Sequence, residues 1–236
     1  MPLLDLCWTF LIDPQKQKSR STITQGVQSR VFQTDSLGRT IYTKEPETGE
    51  TSYSYAYNST GLVVTRTKPR ANQIDTSFKT HTTYQYDAVN RLISISYDDG
   101  TLARSFSYDT SANWNNYTQS NLKGRLSFAF RNTSTSFTET VFSYDAMGRV
   151  TSMAECIPSE CGNGSLDKHL AYAYDWVGNL KRASDAGSAT VSYNYSLAGE
   201  VQSITSSLSS ATNPSTIISG VQNTQNGPTT YQMGWG

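Results

Sequence analysis

Residues 84–101 read YQYDAVNRLISISYDDGT, and the order of residue types in that stretch decides the fold. Tyr84 and Tyr86 stand two apart, so in an extended strand both rings lie on one face. Asp87 follows at once, with Asn90 three residues later. An Asp at the first corner and a residue tolerant of positive φ at the last are the marks of a type I turn. Arg91 and Leu92 then open a returning strand. The phrase predicts a β-hairpin with two aromatic rings ahead of its turn.

The phrase recurs seven times. Two further copies are as clear: Phe142, Tyr144, Asp145, Gly148, Arg149, Val150, and Tyr172, Tyr174, Asp175, Gly178, Asn179, Leu180. Phe32, Asp35, Gly38 and Arg39 keep the turn but place Thr34 at the second aromatic position. Tyr55, Tyr57, Asn58, Gly61 and Leu62 lack the Arg. Tyr193, Tyr195, Gly199 and Val201 carry Ser196 in the Asp place and Glu200 in the Arg place. Phe106, Tyr108 and Asp109 are separated from Gly124, Arg125 and Leu126 by an insertion over 110–123. Successive second-aromatic positions lie 21 to 36 residues apart, the irregular period of tandem supersecondary units with variable loops.

After three of the turns an apolar residue recurs at an offset of three: Leu92 and Ile95, Val150 and Met153, Val201 and Ile204. Positions three apart face opposite ways in a regular strand. Either a bulge or two differently buried faces reconciles the pattern, and the sequence leaves both open. The Arg invites a charge pair with the Asp of its own turn, or stacking on the tyrosine rings. An exposed pair of this kind is worth at most about 1 kcal/mol, so covering aromatic surface and fixing the turn is its larger value. No segment carries a 3.6-residue apolar stripe, and the fold class is all-β throughout.

Composition agrees. Hydrophobic residues make up 36% of the 236 residues and charged residues 16%, while Tyr alone contributes 15. That mixture suits thin, half-solvated sheets better than a thick aliphatic core. Lys plus Arg and Asp plus Glu balance at 19 each, and without a basic stripe nucleic acid is not an expected partner. Residues 3–12 are apolar but interrupted by Asp5, without a basic leader or a small-residue cleavage site, and no run is long enough to span a bilayer as a helix.

At this point YQYDAVNRLISISYDDGT (84–101), FSYDAMGRVTSM (142–153) and YAYDWVGNLKRASDAG (172–187) resemble the YD repeats of the Rhs family. Related repeats occur in the shell-forming components of insecticidal toxin complexes and in teneurins. The resemblance covers approximately 32–204. It implies tandem antiparallel hairpins forming a curved, open portion of a Rhs-type β-shell. It further implies a secreted or surface-displayed scaffold that encloses or presents a toxin or other polypeptide, with further YD repeats as partners. On that reading 1–31 is an N-terminal segment or partial repeat, 32–204 the repeat region, and 205–236 a Ser/Thr/Asn/Gly-rich segment running into a truncated repeat. Seven units are few for enclosing a cavity, and no counterpart of the family's self-cleavage segment is found, so the chain is expected to be an internal fragment or a degenerate remnant.

No catalytic, cofactor-binding or metal site is expected. His81 and His169 lie in strand approaches with no nucleophile elbow or phosphate loop, and the recurring Asp residues belong to turns rather than to an acid ladder. Cys156 and Cys161, in a turn-rich loop, either form a small disulfide at a hairpin tip or stand as two spare thiols. Oxidation would support an extracytoplasmic location. The alternative function is a carbohydrate- or cell-surface-binding module using repeated Tyr and Trp faces, against rings that serve as lateral rungs of the sheet.

Overall fold

The computed structural model describes residues 7–13, 18–71, 77–112, 117–132, 137–156, 168–185, 189–208, 210, 213–225 and 227–234. These contain 18 strands and no helix, and the chain divides into two compact units, Met1–Ser105 and Phe106–Gly236.

The first unit runs through β1 (Cys7–Asp13), β2 (Lys18–Gln25), β3 (Gln28–Thr34), β4 (Thr40–Glu45), β5 (Gly49–Tyr57), β6 (Leu62–Pro69), β7 (Lys79–Tyr86) and β8 (Leu92–Tyr97). Each strand pairs antiparallel with the next in chain order, and β8 pairs with Arg104 and Ser105 at the start of β9 (Arg104–Tyr108). The second unit continues with β10 (Leu126–Asn132), β11 (Phe137–Tyr144), β12 (Val150–Cys156), β13 (Lys168–Tyr174), β14 (Leu180–Asp185), β15 (Thr190–Tyr195), β16 (Val201–Ser206), β17 (Thr216–Thr224) and β18 (Gly227–Met233), again paired in chain order. Each unit is an open antiparallel meander. Tight turns between aromatic and β-branched strands make sequential pairing the short route, and no crossover is needed.

The registers settle the three-residue offset in favour of a bulge. Tyr144 pairs with Val150, Ser143 with Ser152 and Phe142 with Met153, so Thr151 is an extra residue without a partner in the ladder. Val150 and Met153 therefore share a face with Tyr144 and Phe142. Ile93, Lys181 and Gln202 are the extra residues of the equivalent hairpins. The Asn58 hairpin has no bulge, since Tyr57 pairs with Leu62 and Tyr55 with Val64. Its apolar offset is accordingly two.

Much of the sheet surface is half-buried, as the composition requires. In the second unit the deepest apolar side chains are Val141 and Ala154, neither exposed to solvent, facing each other across β11 and β12. The insertion covers them. Ala112 packs into this cluster, and Tyr117 and Phe128 close over it. Gln119 ties the insertion down: its Oε1 accepts from the Ala112 amide at 2.6 Å, and its Nε2 donates to the Ser127 and Phe142 carbonyls at 2.7 and 2.8 Å. Ser120 N donates to Ser143 Oγ at 2.9 Å, and Asn121 Nδ2 to the Tyr144 carbonyl at 2.8 Å. A loop that reads as an interruption of the repeat is the lid of the second unit's core.

Candidate functional site

The feature repeated most often is the turn, and its chemistry follows from the Asp. In the second clear copy the Asp145 amide donates to the Arg149 carbonyl at 2.9 Å, and Gly148 N returns to the Asp145 carbonyl at 3.0 Å. The Asp145 carboxylate then accepts from Arg149 N at 2.9 Å and from Arg149 Nε at 2.6 Å. Gly148 sits at φ 87°, the left-handed conformation this three-residue loop demands. Asp35 with Arg39 and Asp87 with Arg91 repeat the same bonds, and at Asp87 the left-handed residue is Asn90 at φ 62°.

The remaining copies keep the shape with other atoms. Asn179 uses its Nδ2 to reach Asp175 at 2.9 Å, and Ser196 Oγ accepts from the Ala198 and Glu200 amides at 3.2 Å. Asn58 Oδ1 accepts from Thr60 and Gly61. Across the insertion, Asp109 accepts from Gly124 N at 2.5 Å, and its amide donates to the Arg125 carbonyl, so the split copy closes as one turn. Hydrogen bonds from the Arg91 backbone and side chain hold the Asp87 carboxyl below the usual carboxylate range. At Asp145 burial pushes the other way, and the Arg149 bonds overcome it.

The Arg has a second partner outside its own hairpin. Arg149 Cζ lies 4.8 Å from the ring centre of Tyr174, one repeat on, and Arg149 Nη1 donates to the Asp175 carbonyl at 2.8 Å. Arg39 covers Tyr55 at 4.2 Å and Arg125 covers Tyr144 at 5.6 Å. The same tyrosines answer with their hydroxyls: Tyr55 OH donates to the Thr40 carbonyl at 2.8 Å, Tyr144 OH to Leu126 at 2.7 Å, Tyr174 OH to Val150 at 3.0 Å and Tyr195 OH to Leu180 at 2.8 Å. The acceptor each time is the residue just after the preceding turn. Burial raises the pKa of each of these four phenols.

Both roles the sequence offers the Arg are thus filled at once, and the ring it covers is its neighbour's. The rungs do not stack ring on ring. Alternate strands stand about 9.5 Å apart, too far for direct stacking, and the guanidinium fills the gap. Among the described residues the ring pairs are Tyr117 with His169 and Phe128 with Phe130. The tyrosine-to-carbonyl bond escapes sequence reasoning because a backbone acceptor has no residue type, and the distance along the chain from acceptor to tyrosine varies from 15 to 24 residues.

In the first unit the rungs Tyr53, Tyr55, Tyr84 and Tyr86 line an open groove of about 510 Å³. Arg66 lies in it, 5.6 Å from the Tyr84 ring centre, with its Nε buried and without a hydrogen-bond partner. His81 sits 3.5 Å from Asp98, half exposed, and His169 is edge-on to Tyr117 at 5.6 Å. Among the described residues no group of three His, Cys, Asp or Glu side chains is placed to hold a metal ion. Cys156 is disulfide-bonded, and Cys161 lies outside the described residues.

Residues 63–202 match the family described as Teneurin YD-shell, more than half of the chain. Among solved structures the chain is similar to the crystal structure of TcdB2-TccC3-Cdc42, at 17% identity and TM-score 0.54. It is also similar to that of TcdB2-TccC3 without hypervariable C-terminal region, at 17% identity and TM-score 0.55. Both likenesses cover 89% of this chain and 11% of the other, so the chain spans a small part of those proteins and the likeness is one of fold. A search of curated proteins returns no match.

Proposed function

Because the chain belongs to the teneurin YD-shell family, we propose that it is a non-catalytic length of shell wall that encloses or presents a toxin or another polypeptide. The observation that carries this reading is the clasp between successive repeats. Asp binds its own Arg, the Arg covers the next tyrosine, and that tyrosine bonds back to the carbonyl after the turn. The recurring Asp and Arg of the turns and the tyrosines Tyr55, Tyr144, Tyr174 and Tyr195 are engaged in building the wall, which favours a scaffold over a glycan-binding face. Its partners are further YD repeats of the same or a neighbouring polypeptide. The disulfide at Cys156 supports a secreted or cell-surface location.

Protease protection tests the proposal. The protein purified from its source should bring down a polypeptide that resists digestion while the wall is folded and is cut once denaturant opens it. A co-purifying polypeptide digested as fast in the native sample as in the denatured one contradicts enclosure.

A further inference from the structure

The groove of the first unit opens where the clasp between repeats is broken. The Asn58 turn carries Leu62 at the place where Arg39, Arg125 and Arg149 stand in theirs, so it sends no guanidinium over the next rung, Tyr86. The resulting opening of about 510 Å³ is the size of a ligand pocket, and Tyr55, Leu62, Val64 and Tyr86 give it apolar walls. Among the described residues that line it, Arg66 is the charged one. Arg66 stands in mid-strand, opposite Tyr53 on β5 and Thr82 on β7. Its guanidinium is short of partners. Nη2 donates to Thr82 Oγ1 at 3.3 Å, a neutral oxygen at a long distance, and Nε is enclosed without an acceptor. The Tyr84 ring, centred 5.6 Å from Cζ, offers a π face and no charge. Among the described residues no carboxylate pairs with Arg66. Asp98, which follows β8, accepts instead from Thr80 Oγ1 and the His81 amide at 2.8 and 2.9 Å.

We propose that this groove docks an acidic side chain of the polypeptide that the wall encloses or presents, with an apolar neighbour of that acid lying against Leu62 and Val64. The proposal rests on the shell-wall reading above. Charge selects the acid: a partly enclosed guanidinium lacking a counter-ion is an unfavourable state that an incoming carboxylate relieves, through charge-assisted bonds stronger than the one to Thr82. The walls select a polypeptide. A sugar is ringed with hydroxyls, and against Leu62 and Val64 those hydroxyls would lose water without gaining partners. A peptide offers a carboxylate and an apolar side chain on neighbouring residues, which is the combination the groove presents in complement.

Titration of the whole nitrogen-15-labelled chain with acetyl-Phe-Glu-Leu-amide and with acetyl-Phe-Gln-Leu-amide tests this. The Glu peptide should shift the Arg66 Nε–H resonance and bind about tenfold more tightly than the Gln peptide. Arg66→Met should abolish that preference with the far-UV circular dichroism unchanged. Equal binding of the two peptides by the unaltered chain overturns the proposal, as does no shift at Arg66 at about 10 mM Glu peptide, a concentration at which even a weak site fills. Glucuronate binding more tightly than the Glu peptide also overturns it, because the occupant would then be an acidic sugar. Protease protection without peptide binding removes the groove and keeps the enclosing wall; peptide binding without protection keeps the groove as a docking site and removes the enclosure.

Discussion

Gly61→Ala should destabilise the first unit by about 3 kcal/mol, far more than the same change at Gly38. Both glycines hold positive φ, 151° and 75°. Beyond that they differ. A Cβ on Gly61 would stand 2.6 Å from the Tyr86 carbonyl oxygen and 2.7 Å from the carbonyl of Asp87, backbone atoms that cannot step aside. A Cβ on Gly38 meets nothing within 4 Å. Gly38→Ala should therefore cost the conformational penalty alone, about 1–2 kcal/mol. The close approach exists because the Asn58 turn, lacking a bulge, sets its last residue against the Asp87 turn of the next repeat. Urea unfolding of the two variants checks the ranking; equal midpoints would remove Gly61 from the contact between repeats.

Gln119→Leu is the second large effect. One side chain satisfies the Ala112 amide and the Ser127 and Phe142 carbonyls, and leucine leaves all three without a partner beneath the insertion. An unsatisfied buried backbone group costs about 1–3 kcal/mol. With partial rehydration the sum should be about 3 kcal/mol, together with faster amide exchange at Ala112. Gln119→Glu should do no better, since it sets a carboxylate against two carbonyls. Stability equal to the parent would show that Val141 and Ala154 stay covered without this anchor.

These effects lie where sequence reading stops. Tyr84, Tyr86, Asp87 and Asn90 announce the hairpin because each residue type has a local reason to be there: strand preference, a carboxylate that caps amides, tolerance of positive φ. The all-β class and the repeat follow from them. The bulge was present as the offset between Val150 and Met153, yet Thr151, Ile93 and Gln202 have nothing in common as residue types, so no composition marks the extra position. The contrast with Leu62 and Val64, offset by two, is the clue that separates bulge from regular strand. The clasp was half legible. Arg149 has an obvious ion partner in Asp145, but its reach to Tyr174 depends on strand spacing, and the Tyr174 bond to Val150 ends on a backbone atom. Gln119 was hidden altogether, because its three partners are main-chain groups brought together by the fold.

The account's central claim is that the Arg of a turn grips the tyrosine of the following repeat, as at Arg39, Arg125 and Arg149. A double-mutant cycle on Arg149→Met and Tyr174→Leu measures that grip directly, since the two residues sit 4.8 Å apart on adjacent hairpins. The cycle should return a coupling of about 1 kcal/mol, the size of a partly desolvated cation–π contact. Strict additivity would contradict it, leaving the hairpins joined by their backbone ladder alone.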